Sequence, residues 1–233
     1  MLPFRDINPT RNFPLMTVGL IILNALVFVY MLSLASEGAL AAFINRMAVI
    51  PYEYTHQADI GEPSLQPFWL TLFSAMFMHG GPVHLLGNML YLWIFGNNIE
   101  DIMGPWRYLL FYLLCGVIAS ITHIMIEPAS KIPMLGASGA IAGVLGAYLV
   151  RFPSAKIDSC VWVLFFIWVV RLPAMLVLAF WFVLQLASGT SSLLTPTEGG
   201  GVAWWAHIGG FLAGMVLVFF FARRNRGSEY YSR

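Results

Sequence analysis

Three groups of polar residues are embedded in apolar stretches of the chain: His84 and Asn88 in GPVHLLGNMLYLWIFG, Ser138 in GASGAIAG, and His207 in WWAHIGGFLAGM. A serine hydroxyl becomes a nucleophile when an imidazole within hydrogen-bond reach takes its proton. A second imidazole and an amide can donate hydrogen bonds to the oxyanion that forms on a carbonyl under attack. These residue types carry the chemistry of acyl transfer, here hydrolysis inside a membrane. Each also has a plainer reading. A serine between glycines packs helices, and a histidine with an asparagine can pair helices structurally, whereas an ionisable group in lipid is costly and points to function by default.

The elements that must position these residues are membrane helices. Of 233 residues, 59% are hydrophobic and 10% charged, too little polar surface to clothe a soluble globule. A span needs about 20 apolar residues. Uncharged runs near that length lie at 13–34, 82–99, 108–126, 134–150, 172–188 and 202–221, which predicts an all-α polytopic bundle of six transmembrane helices within one domain, 1–233. The first run exceeds the about 7 to 15 residues of a signal-peptide core and lacks a small-residue cleavage site, so it reads as a retained helix. Residues 35–81 form an outer loop whose second half, PFWLTLFSAMFMHGG, is too short to span and too apolar for water; it is expected partly in the outer leaflet. The segment CVWVLFFIWVV, between Lys156 and Arg171, reads either as interfacial or as an extension of the fifth helix.

Orientation follows from the basic residues. With the N-terminus inside, ten of the twelve Lys and Arg fall in inner segments and only Arg46 and Lys131 in outer ones, which puts both termini in the cytoplasm. A net charge of +1 gives no sign of a nucleic-acid partner, and the two cysteines, Cys115 and Cys160, have neither disulfide nor metal-ligand spacing. No cofactor and no metal are expected.

On this topology the second, fourth and sixth helices enter from the outer face, and these carry His84, Ser138 and His207 within their first turns. All three therefore fall at one shallow depth. His207, Gly210 and Gly214 share a helix face, and Gly139, Gly143 and Gly146 make a small-residue stripe beside Ser138; packing the two stripes brings the serine to the histidine. His84 and Asn88, at i and i+4, also share a face, and the Ser138 N–H lies in a first turn without an intrahelical acceptor. No Asp or Glu falls inside any span, so the expected arrangement is a Ser138–His207 dyad rather than a triad. GASGA also differs from the soluble-hydrolase pattern G-x-S-x-G.

With these motifs the chain resembles the rhomboid family of intramembrane serine proteases. The resemblance rests on GASGA at Ser138, AHIGG at His207 with Gly210 and Gly214, and the pattern His79, His84, Asn88. It extends to the RDINP opening, the Glu100 and Gly104 turn, and the six-helix order. It implies hydrolysis of peptide bonds in or beside the transmembrane helices of membrane-protein substrates, through an acyl-enzyme on Ser138. His207 is then base and acid, His84, Asn88 and the Ser138 N–H bind the oxyanion, and His79, Gly136, Gly139, Gly210 and Gly214 support them. The fifth helix, with Phe180, Trp181 and Phe182, is similar to the family's lateral substrate gate. Two features depart from the family pattern. The tyrosine expected one turn after the serine is Ala142, which leaves open what orients His207, with Trp204 and Trp205 as neighbours, and the first outer loop lacks a Trp-Arg pair. The rival readings are an inactive rhomboid-like client-binding protein and a small proton-coupled transporter. The expected location is a prokaryotic plasma membrane, with the site toward the extracytoplasmic side.

Overall fold

A computed structural model of the chain describes residues 2–34, 36–163, 166–194 and 202–223. The chain opens with a short strand, β1 (Leu2–Asp6), and the first long helix, α1 (Leu15–Ser33). The long loop is itself helical. It contains α2 (Glu37–Met47), whose first turn is capped by the Ser36 hydroxyl, then α3 (Pro51–His56), and then α4 (Thr71–Ser74), flanked by single 3₁₀ turns. Leu72, Ala75 and Met76 of this last segment are buried in the bundle, while Trp69 stays exposed. The rest of the bundle is α5 (Pro82–Met103), α6 (Pro105–Ile126), α7 (Ser138–Arg151), α8 (Ala174–Leu194) and α9 (Trp204–Phe221). Proline opens α5 and α6, where its missing N–H costs nothing. Between them Gly104 takes a φ of 82°, and a side chain there would meet the Arg223 guanidinium.

Four helices, Leu15–Ser33, Pro105–Ile126, Ala174–Leu193 and Trp204–Phe221, are long and apolar enough to cross a membrane. The other two expected spans differ for physical reasons. Helix α5 runs on past residue 99 and buries Asn98, Glu100 and Asp101 at its end. The Glu100 carboxylate is satisfied there by the N–H groups of Met16 and Thr17 and the Thr17 hydroxyl, so it caps the start of α1. Helix α7 begins at Ser138 rather than at residue 134, because Met134 is tied to Val49 by two backbone hydrogen bonds and Gly136 has a φ of 128°. Its 14 residues reach about 21 Å, short of the hydrocarbon core of about 30 Å. Residues Gly139 to Tyr148 of α7 are all buried, so this helix is enclosed by its neighbours rather than by lipid.

The stretch 156–173 is not an extension of the fifth helix. It is an antiparallel hairpin, β2 (Lys156–Val163) and β3 (Phe166–Pro173), with β1 on the other edge of β2 in the order β1-β2-β3. β-Branched and aromatic residues favour the strand, and Arg171 faces Asp158 across it at 2.8 Å. Beside this sheet Asp6 accepts hydrogen bonds from Asn98 (2.6 Å) and Tyr148 (3.0 Å), tying β1 to α5 and α7.

The centre of the bundle is the contact between α7 and α9. A Cβ at Gly210 would overlap the Gly139 carbonyl oxygen, one at Gly214 the Gly143 carbonyl, and one at Gly146 the Phe211 carbonyl. Only backbones without side chains approach this closely, and in a membrane such packing replaces the hydrophobic drive that lipid removes.

Gly214→Ala is expected to lower thermal stability, since forced overpacking costs about 1–3 kcal/mol. Gly19→Ala, which meets no heavy atom within 4 Å, should not lower it. Equal melting temperatures for the two variants would refute the close-contact account. Burial raises the Asp6 carboxyl to about 6, so the folded protein holds this proton more tightly than the unfolded chain. Stability should therefore fall as pH rises from about 4 to about 6, and Asp6→Asn should flatten that part of a melting-temperature profile.

Candidate active site

His84 is the third residue of α5, Ser138 the first of α7 and His207 the fourth of α9, so three helix starts converge at one end of the bundle. The glycine contact between α7 and α9 sets their separation. Ser138 Oγ lies 2.8 Å from His207 Nε2, and His207 is 8% exposed. Nδ1 of the same ring lies 2.8 Å from Gln185 Oε1 on α8. An amide oxygen only accepts, so Nδ1 carries the proton and donates it. Nε2 is then left with a lone pair for the Ser138 hydroxyl. A serine in this position can lose its proton to the ring as it attacks a carbonyl.

Gln185 is the site residue that sequence reasoning missed. The sequence offers His207 no carboxylate within a span and sets Trp204 and Trp205 beside it. Trp204 meets the His207 ring edge-on at 6.1 Å and Trp181 lies tilted at 6.0 Å, so both wall the ring in without bonding to it. The available signal was a glutamine in the otherwise apolar run AFWFVLQLA, one turn after Trp181. Ala142, where the family pattern has a tyrosine, is buried in α7.

A cavity of about 720 Å³ opens beside the serine, with His84, Asn88, Ser138, Trp181, Gln185 and His207 in its lining. His84 is open to this space, and its Nδ1 lies 3.4 Å from the Gly80 N–H. That donor leaves Nε2 as the protonated nitrogen, and the ring lies so close over Gly136 that a Cβ there would meet its Cε1 and Nε2 at 2.9 Å. Gly136 thus serves two constraints, a positive φ and room for the His84 ring. Asn88, one turn deeper, is 8% exposed, and its Nδ2 has no hydrogen-bond acceptor among the described residues. The first-turn N–H of Ser138 has no acceptor within its own helix by position. His84, Asn88 and Ser138 border one cavity, and donors of these types are what a tetrahedral oxyanion needs.

The other expected residues fall as follows. His79 is buried and meets the His84 ring edge-on at 5.1 Å. Gly139, Gly210 and Gly214 lie in the α7–α9 contact. Phe180, Trp181 and Phe182 do not act as one surface: Phe180 is exposed, Trp181 borders the cavity, and Phe182 stacks on Phe211 of α9 at 4.6 Å. Among the described residues no group of His, Cys, Asp and Glu is placed to hold a metal ion.

Residues 66–224 match the family model described as the Rhomboid domain. Among similar proteins, Rhomboid protease GluP of Bacillus subtilis is 42% identical over 81 residues, covering 35% of this chain and 15% of that protein. RHOMBOID-like protein 5 of Arabidopsis thaliana is 32% identical over 148 residues, or 64% of this chain and 42% of its own length. The mitochondrial presenilin-associated rhomboid-like protein A of Danio rerio is 29% identical over 166 residues, or 67% of this chain and 38% of its own. In each case the chain spans less than half of the relative's length. The matched domain takes in every helix from α4 to α9, both histidines of the cavity and the serine between them, and the chain therefore belongs to the rhomboid family of multi-pass integral membrane proteins.

Proposed function

We propose that this protein is an intramembrane serine endopeptidase that cleaves membrane-protein substrates in or near their transmembrane helices. The observation that carries the reading is the 2.8 Å contact between Ser138 Oγ and His207 Nε2, made between two enclosed helix starts beside an open cavity. Ser138 Oγ attacks the scissile carbonyl carbon as its proton passes to Nε2 of His207. The C–N bond then breaks, and the leaving amine takes that proton. Water attacks the resulting ester, gives a proton to His207, and the proton returns to Ser138 as the acid leaves. His84, Asn88 and the Ser138 N–H are the donors to the oxyanion in both steps.

A client-binding protein without activity has no use for a proton acceptor on Ser138, and the hydrogen bond to His207 favours the protease. The site end of the bundle is proposed to face away from the cytoplasm, supported by the excess of Lys and Arg in segments at the opposite end. The membrane is proposed to be a prokaryotic plasma membrane. Substrate is proposed to enter past α8, whose face carrying Phe180, Val183 and Leu184 is exposed. A substrate helix must unwind to present a carbonyl, so helix-breaking residues near its cleaved end are expected.

A serine-reactive phosphonate should form an adduct on Ser138, detected by mass spectrometry, and Ser138→Ala should abolish both the adduct and cleavage of a model transmembrane substrate. Cleavage by a folded Ser138→Ala variant would overturn the reading. Asn88→Ala should lower kcat by about 10²–10³-fold, the scale of one lost oxyanion donor. Phe182→Ala, which removes the stack on Phe211, should raise turnover if α8 is the gate; unchanged turnover in a membrane-embedded assay counts against it.

A further inference from the structure

The inner face of α8 is a stripe at one-turn spacing: Val177 and Leu178, then Trp181 and Phe182, then Gln185, then Gly189. Every other member is apolar or small and packs on the bundle, and Gln185 is only 6% exposed. A glutamine buried at such a position costs free energy unless both ends of its amide are satisfied. Both ends have partners. Nε2 faces the Trp181 carbonyl one turn back at 3.4 Å, and Oε1 faces His207 Nδ1 at 2.8 Å. The first contact decides the second. With the amide nitrogen directed at the Trp181 carbonyl, only the oxygen is left for the imidazole, so the ring is held with its proton on Nδ1.

We propose that Gln185 is the positioning residue of the hydrolytic site, fixing His207 in the tautomer whose Nε2 can accept the Ser138 proton. The inference rests on the protease reading above and supplies what that reading lacks, a group on the far side of the base. It assigns to a neutral amide the place that a carboxylate holds in a Ser-His-Asp triad, where the group beyond the histidine selects tautomer and orientation rather than taking the proton itself. An amide suits this depth better than a carboxylate, because it carries no net charge to desolvate. It also explains how α7 can carry Ala142 in place of an aromatic ring: orientation of His207 comes from α8 through a hydrogen bond, with Trp181 and Trp204 closing the ring in from the sides.

The experiment compares wild type, Gln185→Met and Gln185→Glu in lipid nanodiscs. Methionine keeps the length of the side chain but removes the amide. Glutamate restores an acceptor for Nδ1. With a model transmembrane substrate, Gln185→Met should lower kcat on the order of 10²-fold with KM unchanged, the low end of what a well-placed general base contributes. Gln185→Glu should recover activity to within about tenfold of wild type, since a carboxylate accepts from Nδ1 in the same way. The ¹⁵N signals of His207, assigned by loss in His207→Ala, should show a protonated Nδ1 and an unprotonated Nε2 in wild type, and lose that pattern in Gln185→Met. A wild-type ring protonated on Nε2 overturns the proposal, as does a Gln185→Met enzyme with unchanged kcat. Loss of activity that follows a fall in melting temperature, and that Gln185→Glu does not rescue, also overturns it by making Gln185 a packing residue. Failure of the protease reading is separate: wild type then forms no phosphonate adduct on Ser138, while the ¹⁵N pattern still reports whether Gln185 holds the ring.

Discussion

The contact of α7 with α9, backbone against backbone, sets the distance between the two helices that carry Ser138 and His207. Ser138 and His207 are 69 residues apart and sit on different helices, yet their polar atoms meet at 2.8 Å. A hydrogen bond of that length tolerates errors of only a few tenths of an ångström, less than the thickness of one methyl group. Gly139, Gly143 and Gly146 on one helix, with Gly210 and Gly214 on the other, remove every side chain that would hold the axes apart. The site geometry is therefore set one to two turns below the reacting atoms, by residues with no chemistry of their own. Cys115 and Ala119 of α6 close over the same stripe, since a Cβ at Gly143 would meet the first and one at Gly139 the second. The central helix is thus held on two sides.

A bundle in lipid must also dispose of its polar groups, and this one places many of them toward two opposite ends. At the Ser138 end they gather around a cavity lined by His84, Asn88, Ser138 and His207, and Asn88 Nδ2 has no hydrogen-bond acceptor among the described residues. At the Arg151 end several polar groups are consumed by structure. Glu100 caps α1, Asp101 accepts from the backbone of Arg11 and Asn12, and Asp6 binds Asn98 and Tyr148. Helix α5 runs the length between them, with His84 and Asn88 near its start and Asn98 to Asp101 near its finish. Satisfying the far end with an N-terminal strand and a capped helix anchors α5, and so fixes the height of His84 and Asn88 in the cavity they line together with Ser138.

Much of this was legible in the sequence because membrane constraints are severe. Four of the six apolar runs lie on helices long and apolar enough to span, the other two lie on α5 and the shorter α7, and the spacing of His207 with Gly210 and Gly214 announced a close face for a reason that holds in any lipid bundle. What escaped had no such constraint behind it. The start of α7 depends on a long-range bridge between Val49 and Met134, which no local pattern encodes. The run CVWVLFFIWVV is apolar throughout, so it has no helical or strand period; its β-branched residues favour strands, residues 160–163 pair with 166–169 of the same run, and only Cys160 meets β1, far away in the chain. Gln185 was hidden for a different reason. A search for charged partners overlooks an amide, although an amide is the polar group that a membrane interior most readily accepts in that place.

The position of Gln185 ties access and chemistry to a single helix. Helix α8 contributes Trp181 to the cavity wall, stacks Phe182 on α9, and through Gln185 bonds to the ring of His207. Its opposite face, with Phe180, Val183 and Leu184, is exposed, and only 28% of its most apolar stretch is buried, against 44% for α9. It is thus among the helices least held by its neighbours, and under the proposed entry route a substrate helix that passes it displaces it. A displacement of one ångström stretches the 2.8 Å bond beyond useful hydrogen-bond length and releases the ring to either tautomer. In the proposed mechanism, proton transfer from Ser138 then requires α8 to be seated again after the substrate has entered. The weakly held helix acts in this way as a condition on the chemistry: the base is correctly poised only when the wall of the cavity is closed.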